Sequence, residues 1–120
     1  MTVALRFPIK RNACHPVLRF RIRRKNDEGV EEAYDLTDAL SVYFRMRRPA
    51  TGREPHPPIL IYKPGVLEMP LIAGVVRYNW VSGNLPLAGT FLGEFWVQTA
   101  TGLLVVPTDE PIHIVVTETL

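Results

Sequence analysis

The sequence predicts an all-β fold, an antiparallel β-sandwich of about seven or eight short strands. Three observations predict it. Apolar and polar residues alternate with period two in several separate segments, the spacing at which successive side chains of a strand face opposite ways. Turn-forming clusters separate those segments at regular intervals. Eleven prolines and eight glycines are spread along the 120 residues, each able to interrupt a helix by removing a donor or adding backbone entropy. Hydrophobic residues make up 47% of the chain and charged residues 22%, enough apolar material for one core and no case for wholesale disorder.

Residues 1–16 are the least regular. Val3, Leu5 and Phe7 alternate before Pro8, Lys10-Arg11 and Pro16 intervene, so this stretch is expected to be an N-terminal arm or an edge strand. Residues 17–120 are expected to form a single sandwich domain. Val17 to Arg23 reads as one half-buried strand, with Leu18, Phe20 and Ile22 inward and Arg19, Arg21 and Arg23 outward. Asn26-Asp27-Glu28-Gly29 and Asp35-Leu36-Thr37-Asp38 read as turns, because Asp, Asn and Thr side chains satisfy nearby backbone groups. One or two helical turns within residues 31–40 are the alternative. Ser41 to Arg47 repeats the basic alternation, with Val42, Phe44 and Met46 inward and Arg48-Pro49 closing the strand.

The proline-rich stretch 51–58 is a loop, and Ile59-Leu60-Ile61-Tyr62 is a short strand whose flanking prolines suggest a sheet edge. In the segment Gly74 to Trp80, Val76, Tyr78 and Trp80 share a face that should be core. Thr90 to Val97 sets Phe91, Phe95 and Val97 against Leu92, Glu94 and Trp96, and Thr101-Gly102 turns it into a hairpin with Leu103 to Val106. Ile112 to Thr117, rich in β-branched residues, supplies a last strand.

Charge is uneven along the chain. Residues 1–63 hold 13 Lys/Arg against 7 Asp/Glu, a balance of +6, whereas residues 64–120 hold 1 against 5, a balance of −4. Such polarity can steer docking between copies or partners, although basic strands are also ordinary solvated faces. Nucleic-acid binding is the weaker reading. The lone Cys14 cannot form a disulfide within the chain, which suits assembly in a reducing compartment. There is no signal-peptide h-region at the N-terminus, and no apolar run approaches the roughly 18 residues that span a bilayer, so no membrane partner is expected.

Catalytic and metal-binding patterns are sparse. The chain has no glycine-rich phosphate cradle and no CxxC, HExxH or EF-hand spacing. Cys14 and His15 are adjacent, but His56 and His113 are distant, and no local signature supports either a zinc site or a Cys–His nucleophile; Cys14 is expected as a small buried hydrophobe. The carboxylates Asp27-Glu28 and Glu31-Glu32 fit turn solvation better than calcium or paired catalytic acids. No enzyme, cofactor or metal is therefore expected. The candidate interface is Arg19, Arg21, Arg23, Arg45, Arg47, Leu92 and Trp96, since arginine and aromatic residues dominate binding hot spots. The alternative for Trp96 is burial beneath residues 49–73.

The ordered set of Asp35-Leu36-Thr37 leading into Val42 to Arg47, then Gly74 to Trp80, Ala88 to Phe95 and Gly102 to Pro107 resembles the N-terminal domain of phage baseplate upper proteins. The resemblance spans about residues 17–118, and it departs from the family's pattern at Gly83-Asn84 and at Phe91 in place of tyrosine. It implies an Ig-like sandwich in a virion, anchoring receptor-binding or fibre proteins to a tail or baseplate. The expected function is that of a bacteriophage virion structural protein of tail, baseplate or neck. It would be made in the host cytoplasm and would bind other virion proteins in multiple copies of a symmetric assembly. A capsid decoration protein is one alternative. A carbohydrate-binding module using exposed aromatics such as Trp96 or Tyr62 is another, and it would make a glycan the partner.

Overall fold

Residues 5–119 are described by the computed structural model, in which eleven strands and a single 3-10 turn build an all-β, sandwich-like domain. Val3 and the other residues of 1–4 lie outside the described residues. The large layer uses six strands: β1 (Arg6–Lys10), β5 (Ala39–Arg47), β6 (Ile59–Pro64), β9 (Gly89–Thr99), β10 (Gly102–Val106) and β11 (Ile112–Thr117). Their order is β1-β11-β9-β5-β6, and β10 takes the same side of β9 as β11, pairing its C-terminal half. The central strand β9 is the longest because alternation holds without interruption from Phe91 to Val97. Every odd residue there is buried and every even one is partly exposed.

The second layer is smaller. Strands β2 (Leu18–Arg21), β7 (Val66–Leu67) and β8 (Val75–Tyr78) pair in the order β2-β8-β7, and β3 (Arg23–Lys25) pairs β4 (Glu31–Ala33) as a separate hairpin. The core lies between the layers. Val42, Phe44, Met46, Phe95, Val97 and Ile114 from the large sheet meet Leu18, Val76 and Tyr78 from the small one. The Phe44 ring stacks on Tyr78 at 4.6 Å between centroids, and Trp80 meets both rings edge-on at 5.6 and 5.2 Å. Pairs of this geometry add to the area they bury, which makes this cluster the joint between the layers.

Several local expectations need correction. Val17 to Arg23 is two strands, because the ladder breaks at Ile22: its side chain is buried, its amide donates to the Gly74 carbonyl at 2.7 Å, and its carbonyl accepts from the Tyr34 amide at 2.9 Å. Gly74 adopts φ 72°, and a Cβ there would lie 2.6 Å from the Tyr34 carbonyl oxygen, so only glycine permits this close approach. The helical alternative for residues 31–40 gives way to β4 and an Asx turn, in which the Asp35 carboxylate accepts from both the amide and the hydroxyl of Thr37. Those bonds hold the exposed Asp35 carboxyl below its ordinary range. One pairing is parallel rather than antiparallel: β1 runs beside β11 from Arg6 opposite His113 to Lys10 opposite Thr117, and buries Ile9 in the core.

Candidate interaction surface

With the inner face of the large sheet filled, the outward residues of β5, β6 and β9 form a continuous surface on its other side. Cross-strand register sets Tyr43 opposite Trp96, Arg45 opposite Glu94 and Arg47 opposite Leu92, while Tyr62 of β6 lies opposite Arg45. The outward positions of a pleated sheet bring these side chains within reach of one another. The Arg45 guanidinium carbon sits 4.0 Å from the centroid of the Trp96 ring and 5.5 Å from that of Tyr62. Tyr62 stacks on Tyr43 at 5.1 Å and meets Trp96 edge-on at 6.5 Å. The Trp96 indole Nε1 donates to Glu94 Oε1 at 2.8 Å.

The arrangement fixes a long, flexible side chain. Arg45 has no carboxylate within ion-pair distance among the described residues, so the aromatic faces hold its cation, a contact that contributes about 0.5–1 kcal/mol at an exposed site. Trp96 is half-buried, and its partial cover comes from Arg45 and from Tyr62, a residue of the 49–73 stretch. Beside it lies a hollow of about 340 Å³ lined by Arg45, Ile59, Tyr62 and Trp96, and next to that a second of about 280 Å³ that includes Arg47 and Leu92. Arg45, Arg47, Leu92 and Trp96 thus form one surface on rigid strands.

The arginines of the other anticipated strand are elsewhere. Arg19 and Arg21 lie on β2 of the small sheet and Arg23 on the β3–β4 hairpin. Arg19 stands directly opposite Arg77 of β8, a like-charge pair that would be destabilising alone. Glu68 neutralises it. Its two carboxylate oxygens accept from Arg19 at 2.8 and 2.7 Å, and Arg77 Nη1 is 3.6 Å away. The Arg19 hydrogen bonds hold the Glu68 carboxyl below the usual glutamate value. Arg21 and Arg23 line a separate hollow of about 400 Å³ that Asp109 and Glu110 also line.

Comparison of the chain with family models, with curated proteins and with solved structures found no match. The surface must therefore be read from its own chemistry. Among the described residues no three His, Cys, Asp or Glu side chains gather where they could hold a metal ion. Cys14 is partly buried against the core, its thiol unpaired. Among the described residues no helix is long and apolar enough to cross a membrane. Sequence reasoning missed Glu68 and the clasp that Tyr43 and Tyr62 complete around Arg45. Glu68 follows a two-residue strand without periodic signal, whereas Tyr62 reads from the sequence as an exposed aromatic and its place beside Arg45 shows only once β6 is known to pair with β5.

Proposed function

We propose that this chain is a bacteriophage virion structural protein of the tail, baseplate or neck, an Ig-like module that works by binding neighbouring virion proteins. The observation that carries the binding part of this reading is the Arg45–Tyr62–Trp96 clasp. It presents pre-ordered aromatic and arginine groups, the residue types enriched at interface hot spots, so little side-chain freedom remains to be lost on association. Strands rather than loops hold the groups, which suits a part that must repeat identically in an assembly. The placement in a virion rests on the ordered motifs from Asp35 to Pro107 that resemble the baseplate upper protein domain.

Binding of this kind requires no chemistry from the chain. A position on the capsid surface, as a decoration protein, uses the same face. A glycan would have to displace the Arg45 guanidinium, which already occupies the ring face of Trp96 at 4.0 Å and on which a sugar would stack. Mass spectrometry of purified particles, fractionated into tails and capsids, tests the reading. The protein is expected in the tail fraction; its absence from particles would overturn the proposal.

A further inference from the structure

Strand β6 ends the large sheet, and among the described residues no strand pairs with its far side. The register shows which groups face outward. The Gly65 amide donates to the Val42 carbonyl at 2.8 Å, and bonded and non-bonded pairs alternate along an antiparallel ladder. Phe44 with Lys63 and Met46 with Ile61 are therefore bonded pairs, while Tyr62, opposite Arg45, turns its amide and carbonyl to the open edge. A register shift between Met46 and Arg47 ends the regular ladder on the other side of Ile61. Pro58 and Pro64, which lack an amide hydrogen, bracket the open stretch to Ile59–Lys63. Natural sheets blunt edges by such means to prevent indiscriminate pairing, yet here Ile59 and Tyr62 remain 40% and 52% exposed beside the open backbone.

Charge selects the occupant. Between residues 45 and 63 the chain carries Arg45, Arg47, Arg48, Arg53 and Lys63 against one carboxylate, Glu54, which is held by Arg48 at 3.1 Å. Lys63 lies on the edge strand itself and Arg45 and Arg47 on β5, one strand in, and none of the three makes an ion pair among the described residues, although Glu94 of β9 stands cross-strand from Arg45. Two copies joined through β6 would bring these cations together, which disfavours self-pairing, whereas an acidic strand would neutralise them. Resting on the reading of this chain as a binding module, we propose that the β6 edge receives an extended acidic segment of a partner protein as an added strand. The Tyr62 amide and carbonyl supply its central hydrogen bonds, and Lys63 on the edge strand, with Arg47 one strand behind it, supplies its selectivity.

The test titrates the full chain with a capped peptide of about seven residues alternating glutamate and valine, a typical strand length, and with its lysine–valine counterpart. Trp96 fluorescence and amide exchange report binding. The acidic peptide is expected to bind and to weaken with added salt, and the basic one to fail. Tyr62→Pro removes the outward amide without breaking a β5 bond and is expected to weaken binding about tenfold more than Tyr62→Ala, which loses the same ring but keeps the amide. Should Tyr62→Pro not fold, the unsubstituted chain still decides: the peptide must slow exchange at the Tyr62 amide beyond that at Ile61 and Lys63. Equal binding of both peptides, equal binding by the two variants, or an unprotected Tyr62 amide overturns the proposal. So does a dimer of the unsubstituted chain that Tyr62→Pro abolishes. Each result is independent of whether particles contain the protein.

Discussion

Gly93→Ala probes the joint between the two layers at its tightest point. Gly93 faces inward on β9, opposite Met46 on one neighbour and Ile112 on the other. A Cβ built there would stand 2.9 Å from both Cε1 and Cζ of Phe44 and 3.4 Å from the Cγ1 methylene of Ile114. Carbon atoms settle at about 3.5–4.0 Å, so the methyl group overlaps the ring by more than half an ångström. Phe44 has no free direction to move: it is fully buried, stacked on Tyr78, and 5.2 Å from the Phe95 ring centroid. Overpacking of this kind costs about 1–3 kcal/mol, and replacing a strand glycine returns about 0.5–1 kcal/mol of backbone entropy. Because the buried Phe44 ring has no room to yield, the clash should lie at the upper end of that range and the net loss be about 2 kcal/mol, which lowers the thermal midpoint by about 4 °C per kcal/mol in a domain of this size. Tryptophan fluorescence during thermal and urea unfolding measures it. Phe44→Leu vacates the space the new methyl needs, so the double variant should be more stable than the sum of the single losses predicts, by at least about 0.5 kcal/mol. A Gly93→Ala protein as stable as the parent, or a strictly additive double variant, would refute the packing described.

Three further outcomes follow from the polar contacts. Tyr78→Phe removes a hydroxyl that donates to Asn84 Oδ1 at 2.8 Å and should cost about 1 kcal/mol in urea unfolding. Because burial raises the Tyr78 phenol above its ordinary value of 10.0, the parent's stability should fall as pH rises past that value, and the variant's alkaline decline should be shallower. Glu68 behaves oppositely. Its carboxyl is depressed by Arg19, so its contribution is present above the ordinary value of 4.5 and is lost as pH falls through the folded value; Glu68→Gln should flatten that acid limb and cost about 0.5–1 kcal/mol at neutral pH. A double-mutant cycle on Arg45→Ala and Trp96→Ala should give a coupling of about 0.5–1 kcal/mol, and both variants should keep the cooperative unfolding of the parent.

The elements legible in the sequence were those whose burial alternates without interruption. Val42, Phe44 and Met46 turn inward as their spacing predicts, as do Phe91, Phe95 and Val97, and the hairpin at Thr101-Gly102 pairs Gly102 with Thr99. Period two reports which way a side chain faces, so it locates strands and their buried faces. It does not report neighbours. The parallel β1–β11 pairing joins segments more than a hundred residues apart, and the break at Ile22 depends on Gly74 and Tyr34 meeting it from distant loops.

The same limit explains the divided interface. Leu18 to Arg23 and Val42 to Arg47 carry the same alternation of apolar and basic residues, yet one pairs with β8 and the other with β9, so their arginines emerge on different layers. The charge polarity read along the chain is also reduced in space. Glu68, from the acidic half, neutralises Arg19 of the basic half, Glu118 pairs with Arg11 at 3.2 Å, and Asp109 and Glu110 border the hollow of Arg21 and Arg23. Around β5 and β6, Arg45, Arg47 and Lys63 make no ion pair among the described residues, although Glu94 of β9 stands cross-strand from Arg45. Cations without an ion pair beside an open sheet edge are what an outside partner would find, so part of the uneven sequence charge bears on recognition there and part on internal pairing.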